Sequence, residues 1–508
     1  MPASRPSSDA PAKRRRGAAA AGSAAAGITL RSWTAHKPLT RERIGQPTQV
    51  LQDCVERFVP AVDWLGGGGR DPEAAAERQA DALLSANAGM LREMRIEANV
   101  QRRAGRAGIC FRPSTRIGAV PLRSPVSGRP DHGLVIEPRI SWRSAGDLFC
   151  GTGFRVVPEL LPLPDMPQSE RRVPPWVLSS VVVERLERML NTLRRRFVTQ
   201  EADLRAPKGT VLWDQYARTR LPVGRALEVP CRYPDLREDA DLRAAIAWTA
   251  RRHRDALASQ LDSGAVVREL MSRFDRIVQR LSGVVARMPP AGLRRAWQSQ
   301  PLTAGVFRDG LRAIDWTVEE RGLAGLTELS GLAWRLDMEV FFESWVEAVA
   351  EHVARRHGAV LSRGRRNETR VPLSWKPPSL GSQQSLVPDL VIQRPGLALV
   401  IDAKYKRHAT QIESLGWQGV DERIREEHRN DLLQALAYST LFDAPRVVSC
   451  LAYPAAPAHW EALREAGRSV ARTTVPARGR QVELILISVP LSGQAAEAGR
   501  DIEAILRG

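Results

Sequence analysis

The sequence predicts an α/β protein in three folded segments, with its chemistry gathered in the last. Three observations carry that expectation. The hydrophobic spacing changes character near residues 155 and 330. From 331 onward, strand-length apolar runs alternate with helical ones. Within that last segment, two apolar strands around a turn hold Asp389, Asp402 and Lys404. The chain has 508 residues, enough for about three domains, and its 43% hydrophobic content allows each a core.

Residues 1–27, "MPASRPSSDAPAKRRRGAAAAGSAAAG", place a basic cluster before an Ala/Gly run. Ala and Gly make a poor signal-peptide core, so the segment reads as a disordered basic arm. Residues 28–155 combine a helical pattern through "AERQADALLSANAGMLREMRIEANVQRRAG" with strand-like "GICFR", "IGAVPL" and "GLVIEPRISW", an α+β N-terminal module. The glycines of "GGGGR" at 66–70 lack the following Lys-Ser or Lys-Thr and the preceding strand of a phosphate loop, so they read as a loop. No nucleotide motor is evident elsewhere.

Residues 156–330 open on the Pro-rich "PELLPLPDMPQSERRVPPW" and become a mainly helical middle region. Helical spacing runs through "VVERLERMLNTLRRRFV" and "VVRELMSRFDRIVQRLSGVVARM". Basic clusters recur at Arg194 to Arg196, at Arg251, Arg252 and Arg254, and at Arg294 with Arg295. Any one of them suits a solvated helix face; together they suggest a surface for a partner or DNA. The formal charge of +18 points the same way, toward a polyanionic partner, most often nucleic acid. Five cysteines without a CxxC pair suggest neither a disulfide framework nor a zinc knuckle and fit a reducing cytoplasm. No apolar run approaches the roughly 18 residues that span a bilayer, so no membrane association is expected.

Residues 331–508 begin with a helix through "LDMEVFFESWVEAVAEHVARRHG". Phe342, Val346, Val349 and Val353 share one face, and Gly358 is placed to stop it. Strands follow at "AVLSR", "TRVPLSW", "LVPDLVIQ" and "LALVIDAKYK", then a helix at "NDLLQALAYSTLF" with Leu432, Leu433 and Leu436 on its buried face. Strands at "RVVSCLAYP" and "QVELILISVP" and a helix from about 494 complete the domain.

In "LALVIDAKYK" the period of two puts Leu397, Leu399, Ile401, Ala403 and Tyr405 on a packed face. Val400, Asp402 and Lys404 fall on the other, expected to face a cleft. Asp389 joins the face of Asp402 only across an even-numbered loop, expected to be "QRPG". Two carboxylates with a lysine one pleat away suit a hard divalent cation that keeps water and a substrate phosphate among its ligands. Alternatively, Asp402 and Lys404 lie in solvent on an ordinary hairpin. The apolar character of both strands argues against that, because buried polar groups are costly unless used.

"VPDLVIQ…LALVIDAKYK" resembles the core of PD-(D/E)xK nucleases, and more narrowly the McrC-like subunits of McrBC-type restriction systems. The residues in question are Pro388-Asp389, then Asp402-Ala403-Lys404-Tyr405-Lys406, then Gln434 and Tyr438 one turn apart. The upstream "LDMEVFFESWV" places Glu343 at the family's acidic helix position, although Glu339, Glu343 and Glu347 also form the i, i+4, i+8 stripe of a solvated face. The likeness covers 336–453. Before it, "IGAVPL" with "LVIEPRI" resembles the family's N-terminal β module.

The resemblance implies a C-terminal PD-(D/E)xK restriction-endonuclease-like domain hydrolysing DNA phosphodiester bonds with Mg²⁺ or Mn²⁺. Asp389 and Asp402 would ligate the metal, Lys404 would serve the attacking water, and Glu343 and Gln434 would assist. It also implies a McrB-like AAA+ GTPase or ATPase subunit encoded nearby, met by the region before 330, and a role in defence against foreign or modified DNA. Two alternatives remain at this point: a noncatalytic DNA-binding or motor-activating subunit, and a motor-independent repair or RNA-processing nuclease. A neighbouring gene for a P-loop protein would separate them.

Overall fold

The computed structural model describes residues 48–163, 173–193, 196–237, 239–299, 305–319, 332–377, 379, 381–406, 408–477 and 480–507. The arm expected over 1–27 and the Arg194–Arg196 cluster lie outside the residues whose side chains are described.

Near the N-terminus, strand Thr48–Gln52 runs parallel to His132–Glu137, which pairs in turn with Arg116–Leu122. Helix Pro72–Glu93 starts where Asp71 accepts from the Ala74 amide and packs Ala76, Ala80, Leu83 and Leu91 inward. The helical spacing read through "RIEANVQRR" is not realised. The helix ends at Met94, Arg95 takes φ +52°, and Ile96–Arg103 is a strand paired with Arg106–Pro113 across Ala104-Gly105, both at positive φ. That two-residue turn with both φ positive matches strand twist and so selects a hairpin. The strand expected through "GLVIEPRISW" also stops early, at Glu137 before Pro138, and Ser141 caps a helix over Trp142–Gly151.

The middle region packs helices Pro175–Thr192, Ala240–Ala258, Ala265–Arg280 and Gly305–Val318 around Trp176, Leu186, Ile246, Leu270, Phe274 and Ile314. It also contains an unexpected antiparallel pair, Arg196–Leu204 with Val229–Arg237. The β-prone run "FVT" draws the chain out of the helical pattern there. Two of its basic clusters are partly consumed internally: Arg254 bonds Asp275 at 2.5 Å and Arg294 bonds Asp315 at 2.8 Å.

The chain then returns to the first sheet. Trp334–Asp337 pairs antiparallel with Arg116–Leu122, with Arg335 opposite Gly118. Gly118 has φ +153°, and a Cβ there would stand 2.1 Å from the Trp334 carbonyl oxygen, so only glycine admits this strand. Asp337 ends the strand and caps helix Met338–Arg356 through the Glu339 amide at 3.1 Å. The N-terminal sheet and helix 338–356 are therefore joined without an intervening residue.

The C-terminal part of the chain is built on a six-stranded sheet, in the order Val360–Arg363, Leu390–Arg394, Leu397–Ala403, Arg446–Ala455, Arg480–Pro490, Val470–Ala477. The strands 397–403, 446–455 and 480–490 are mutually parallel, and the others pair antiparallel. Helix 338–356 covers one face: Phe342, Val346, Val349 and Val353 are buried as expected, in one core with Leu399, Ile401, Cys450 and Ile485. Helix Glu422–Ser439 covers the other, over Val400, Leu451 and Tyr453. Here the expected apolar stripe is realised in part. Leu432 and Leu436 pack against the sheet, but Leu433 is 63% exposed, and the most buried positions are His428, Asp431, Ala435 and Tyr438. The helix turns a partly polar face to the sheet because that face meets charged groups.

Candidate active site

The hairpin turns through only two residues, Pro395-Gly396, with Gly396 at φ +81°. The expected even loop is present, but it is two residues and not the four of "QRPG". Arg394 pairs with Leu397 and Leu390 with Ile401; one more step of this register sets Asp389 directly opposite Asp402. The backbone ladder ends there because the Asp389 side chain takes over: its Oδ2 accepts the Ala403 amide at 2.8 Å. A turn at 364–369 fixes the approach from outside. The Gly364 amide donates to the Asp389 carbonyl at 2.7 Å, and the Thr369 hydroxyl donates to the Pro388 carbonyl at 2.6 Å.

Asp402 does not face an open cleft. It is 3% exposed, because helix 422–439 and the Lys404 side chain cover it. Lys404 Nζ lies 2.8 Å from Asp402 Oδ2 and donates to Gln434 Oε1 at 2.9 Å. Gln434 Nε2 in turn donates to the Tyr438 hydroxyl at 2.8 Å. The lysine's contact with Asp402 is a close ion pair. Apart from that ion pair, the buried Asp402 Oδ2 has no hydrogen-bond partner among the described residues. Buried carboxylate oxygens seldom remain so.

The electrostatics agree. Burial raises the Asp389 pKa well above the usual carboxylate range, and the charges of Asp402 and then Glu343 push it further. For Lys404, burial pulls the pKa down, but Asp402, Asp431 and Asp389 outweigh it, and the net shift is upward. The lysine is a cation that does not cancel the negative field of Asp402 and Glu343 at Asp389. Burial likewise raises the Tyr438 hydroxyl.

Glu343 belongs to this field and is partly exposed, but it is paired. Arg365 holds it, Nε to Oε1 at 2.9 Å and Nη2 to Oε2 at 3.3 Å. Its stripe neighbours are also paired: Glu339 with Arg95 at 2.8 Å, and Glu347 with Arg155 and Arg363 at 3.0 and 2.9 Å. The structure thus brings Asp389, Asp402, Lys404 and Gln434 together and sets Glu343 beside them on an arginine clamp.

Three participants escaped the sequence. Asp431, 4% exposed, accepts from Lys406 Nζ at 2.8 and 3.1 Å. Its spacing of three from Gln434 places both on one helix face, a legible signal. Asp53 and Arg139, by contrast, reach Tyr405 from the N-terminal module, and no local pattern announces them.

The donor set fits a small hard cation in one respect: two opposed carboxylates, one with an unsatisfied oxygen, are what such an ion completes. Among the described residues no group of three His, Cys, Asp or Glu side chains has metal-holding geometry. Water and substrate oxygens would have to supply the other ligands. Among the described residues no helix is long and apolar enough to cross a membrane.

No protein-family model matches the sequence, and no curated protein matches it. Solved structures do align. One is a refined half-complex from a tetradecameric assembly of Thermococcus gammatolerans McrB AAA+ hexamers with bound McrC. It has 14% identity and a TM-score of 0.42 and covers 91% of this chain and 99% of that one. Another is the Thermococcus gammatolerans McrBC complex, with 13% identity and a TM-score of 0.25 over 60% of this chain and 88% of that one. Likeness at these scores assigns neither a fold nor an activity.

Proposed function

We propose that the chain is the metal-dependent endonuclease subunit of a McrBC-like restriction system, cutting DNA phosphodiester bonds with a PD-(D/E)xK core. The observation that carries this is the pair of opposed aspartates beneath a lysine, with one buried carboxylate oxygen left with only that lysine's ion pair. Like charges on directly opposite strand positions stand roughly 5 Å apart at Cβ. Were both ionised they would repel by about 3 kcal/mol at an effective dielectric near 20, and with burial this drives the Asp389 pKa upward. A fold that keeps this arrangement has a use for it.

Asp389 and Asp402 would hold Mg²⁺ or Mn²⁺, which when bound supplies charge neutralisation and an acidified water. The chain's own groups do the rest. Lys404, held as an ammonium, donates to a non-bridging phosphate oxygen or orients the incoming water. Gln434 fixes the lysine's direction, and Tyr438 fixes the glutamine's amide. Arg365 fixes Glu343 near Asp389, where its carboxylate adds to the negative potential that attracts a cation. The substrate would be DNA, met through the chain's excess positive charge.

The partner follows from the sequence resemblance: a McrB-like AAA+ GTPase or ATPase subunit encoded nearby, met by the region before 330. The implied role is defence against foreign or modified DNA. The test is cutting of plasmid DNA by the purified full chain, alone and with the neighbouring P-loop protein. Mg²⁺ or Mn²⁺ should support it, and chelation or Asp402→Ala should abolish it. Wild-type cutting by a folded Asp402→Ala protein would overturn the assignment.

A further inference from the structure

The three residues beyond the central strand point to alternate sides. Lys404 and Lys406 reach helix 422–439, at Gln434 and Asp431. Tyr405, only 2% exposed, turns the other way, against Phe342 and into the N-terminal sheet. Its hydroxyl donates to Asp53 Oδ2 at 2.9 Å, across 352 positions of sequence.

Asp53 is itself fixed from two sides. It directly follows strand 48–52, its amide donates to the Glu137 carbonyl at 3.0 Å, and its Oδ1 accepts the Arg139 amide at 2.5 Å. The Arg139 guanidinium lies 4.2 Å from the Tyr405 ring centroid, with its Nε 3.8 Å from Asp53 Oδ2. Asp53 has no exposed surface, and Arg139 Nη2 is buried without a hydrogen-bond partner. Apolar residues would fill this space without burying charge, so a charged cluster here adds geometric definition more than stability.

The place where it acts matters. The strand ends at Ala403, and beyond it the described backbone bonds are the Lys404 amide to the Ala452 carbonyl and the Lys406 amide to the Lys404 carbonyl, both 2.8 Å. The ladder stops at the residue whose side chain covers Asp402, and the next fixed point is the Tyr405 side chain. We infer that Asp53 and Arg139 are positioning residues for Lys404: the N-terminal sheet grips the end of the central strand through Tyr405 and so sets where the ammonium stands over Asp402. The inference rests on the nuclease reading. It also means that anything displacing the N-terminal sheet is felt at Lys404.

Tyr405→Phe keeps the ring and deletes only the tie to Asp53. In the full chain, alone and with the neighbouring P-loop protein, plasmid cutting should show kcat down 10- to 100-fold, roughly the loss seen when outer-shell partners are removed. KM for DNA should be unchanged. Asp53→Asn keeps an acceptor and should lose less than Asp53→Ala. In a Lys404→Ala background, Tyr405→Phe should change the residual rate by less than about two-fold, because both act through one group.

A wild-type kcat for Tyr405→Phe, with Asp402→Ala inactive, would overturn the positioning role and leave the nuclease standing. Full additivity with Lys404→Ala would do the same. A wild-type chain that cuts under neither condition would remove the nuclease reading and this inference with it.

Discussion

Asp389→Asn should stabilise the metal-free protein while abolishing its response to magnesium. The amide is isosteric and keeps an oxygen to accept the Ala403 amide, now at 2.8 Å from Oδ2. The substitution therefore removes a carboxyl that, without metal, must either carry a charge beside Asp402 or take up a proton, since burial and Asp402 hold its pKa well above the usual range. Repulsion between carboxylates about 5 Å apart amounts to roughly 3 kcal/mol at an effective dielectric near 20. The Lys404 ammonium, 2.8 Å from Asp402, already offsets part of it. The net gain should be about 1–2 kcal/mol, since the pair is only partly relieved by one cation. Denaturant unfolding in EDTA reads this as a higher midpoint at unchanged slope. Adding millimolar Mg²⁺ should then raise the wild-type midpoint, because a ligand of the native state stabilises it, and leave the variant's unmoved. Destabilisation in EDTA, or an equal magnesium response in both proteins, would refute the like-charge metal site.

Lys404→Ala should reduce cutting at least 100-fold while Mn²⁺ affinity by calorimetry changes less than about 3-fold, because lysine offers no ligand oxygen to a hard cation. In the middle region, burial drives the His253 pKa down to about 3. Its folded value lies below the unfolded one, so the neutral ring's contribution is complete above about pH 6.5 and is lost as pH falls. By pH 5 the loss should be about 2 kcal/mol at 1.36 kcal/mol per unit. His253→Gln should flatten unfolding midpoints between pH 7 and 5; an unchanged pH dependence would count against the assignment. DNA affinity should fall with salt by about 0.9 log units per log unit for each phosphate neutralised. A flat response would mean that the excess charge is scattered over a solvated surface.

The hairpin was legible because its information is local. A period of two and a parity argument place Asp389, Asp402 and Lys404 on one face whatever the rest of the chain does. The helix 338–356 was legible for the same reason, its apolar spacing agreeing with its stop signal at Gly358. What failed was set by tertiary partners. "RIEANVQRR" has usable helical spacing, yet the turn at Ala104-Gly105 and the partner strand 106–113 claim it for a sheet. Leu433 looked buried because leucines usually are, but the strand end below presents Lys404 and Lys406, and Gln434 and Asp431 answer them instead. The return of Trp334–Asp337 to the first sheet and the Asp53–Tyr405 tie join residues hundreds of positions apart, and no window of sequence contains both ends.

The most direct test of the account is where a metal sits. Crystals of the full chain soaked in Mn²⁺ should give one anomalous peak within about 2.3 Å of oxygens from both Asp389 and Asp402, with the unsatisfied Oδ2 among its ligands and Lys404 Nζ moved off that oxygen. Absence of a peak at millimolar Mn²⁺, with Lys404 still closed on Asp402, would contradict the central claim.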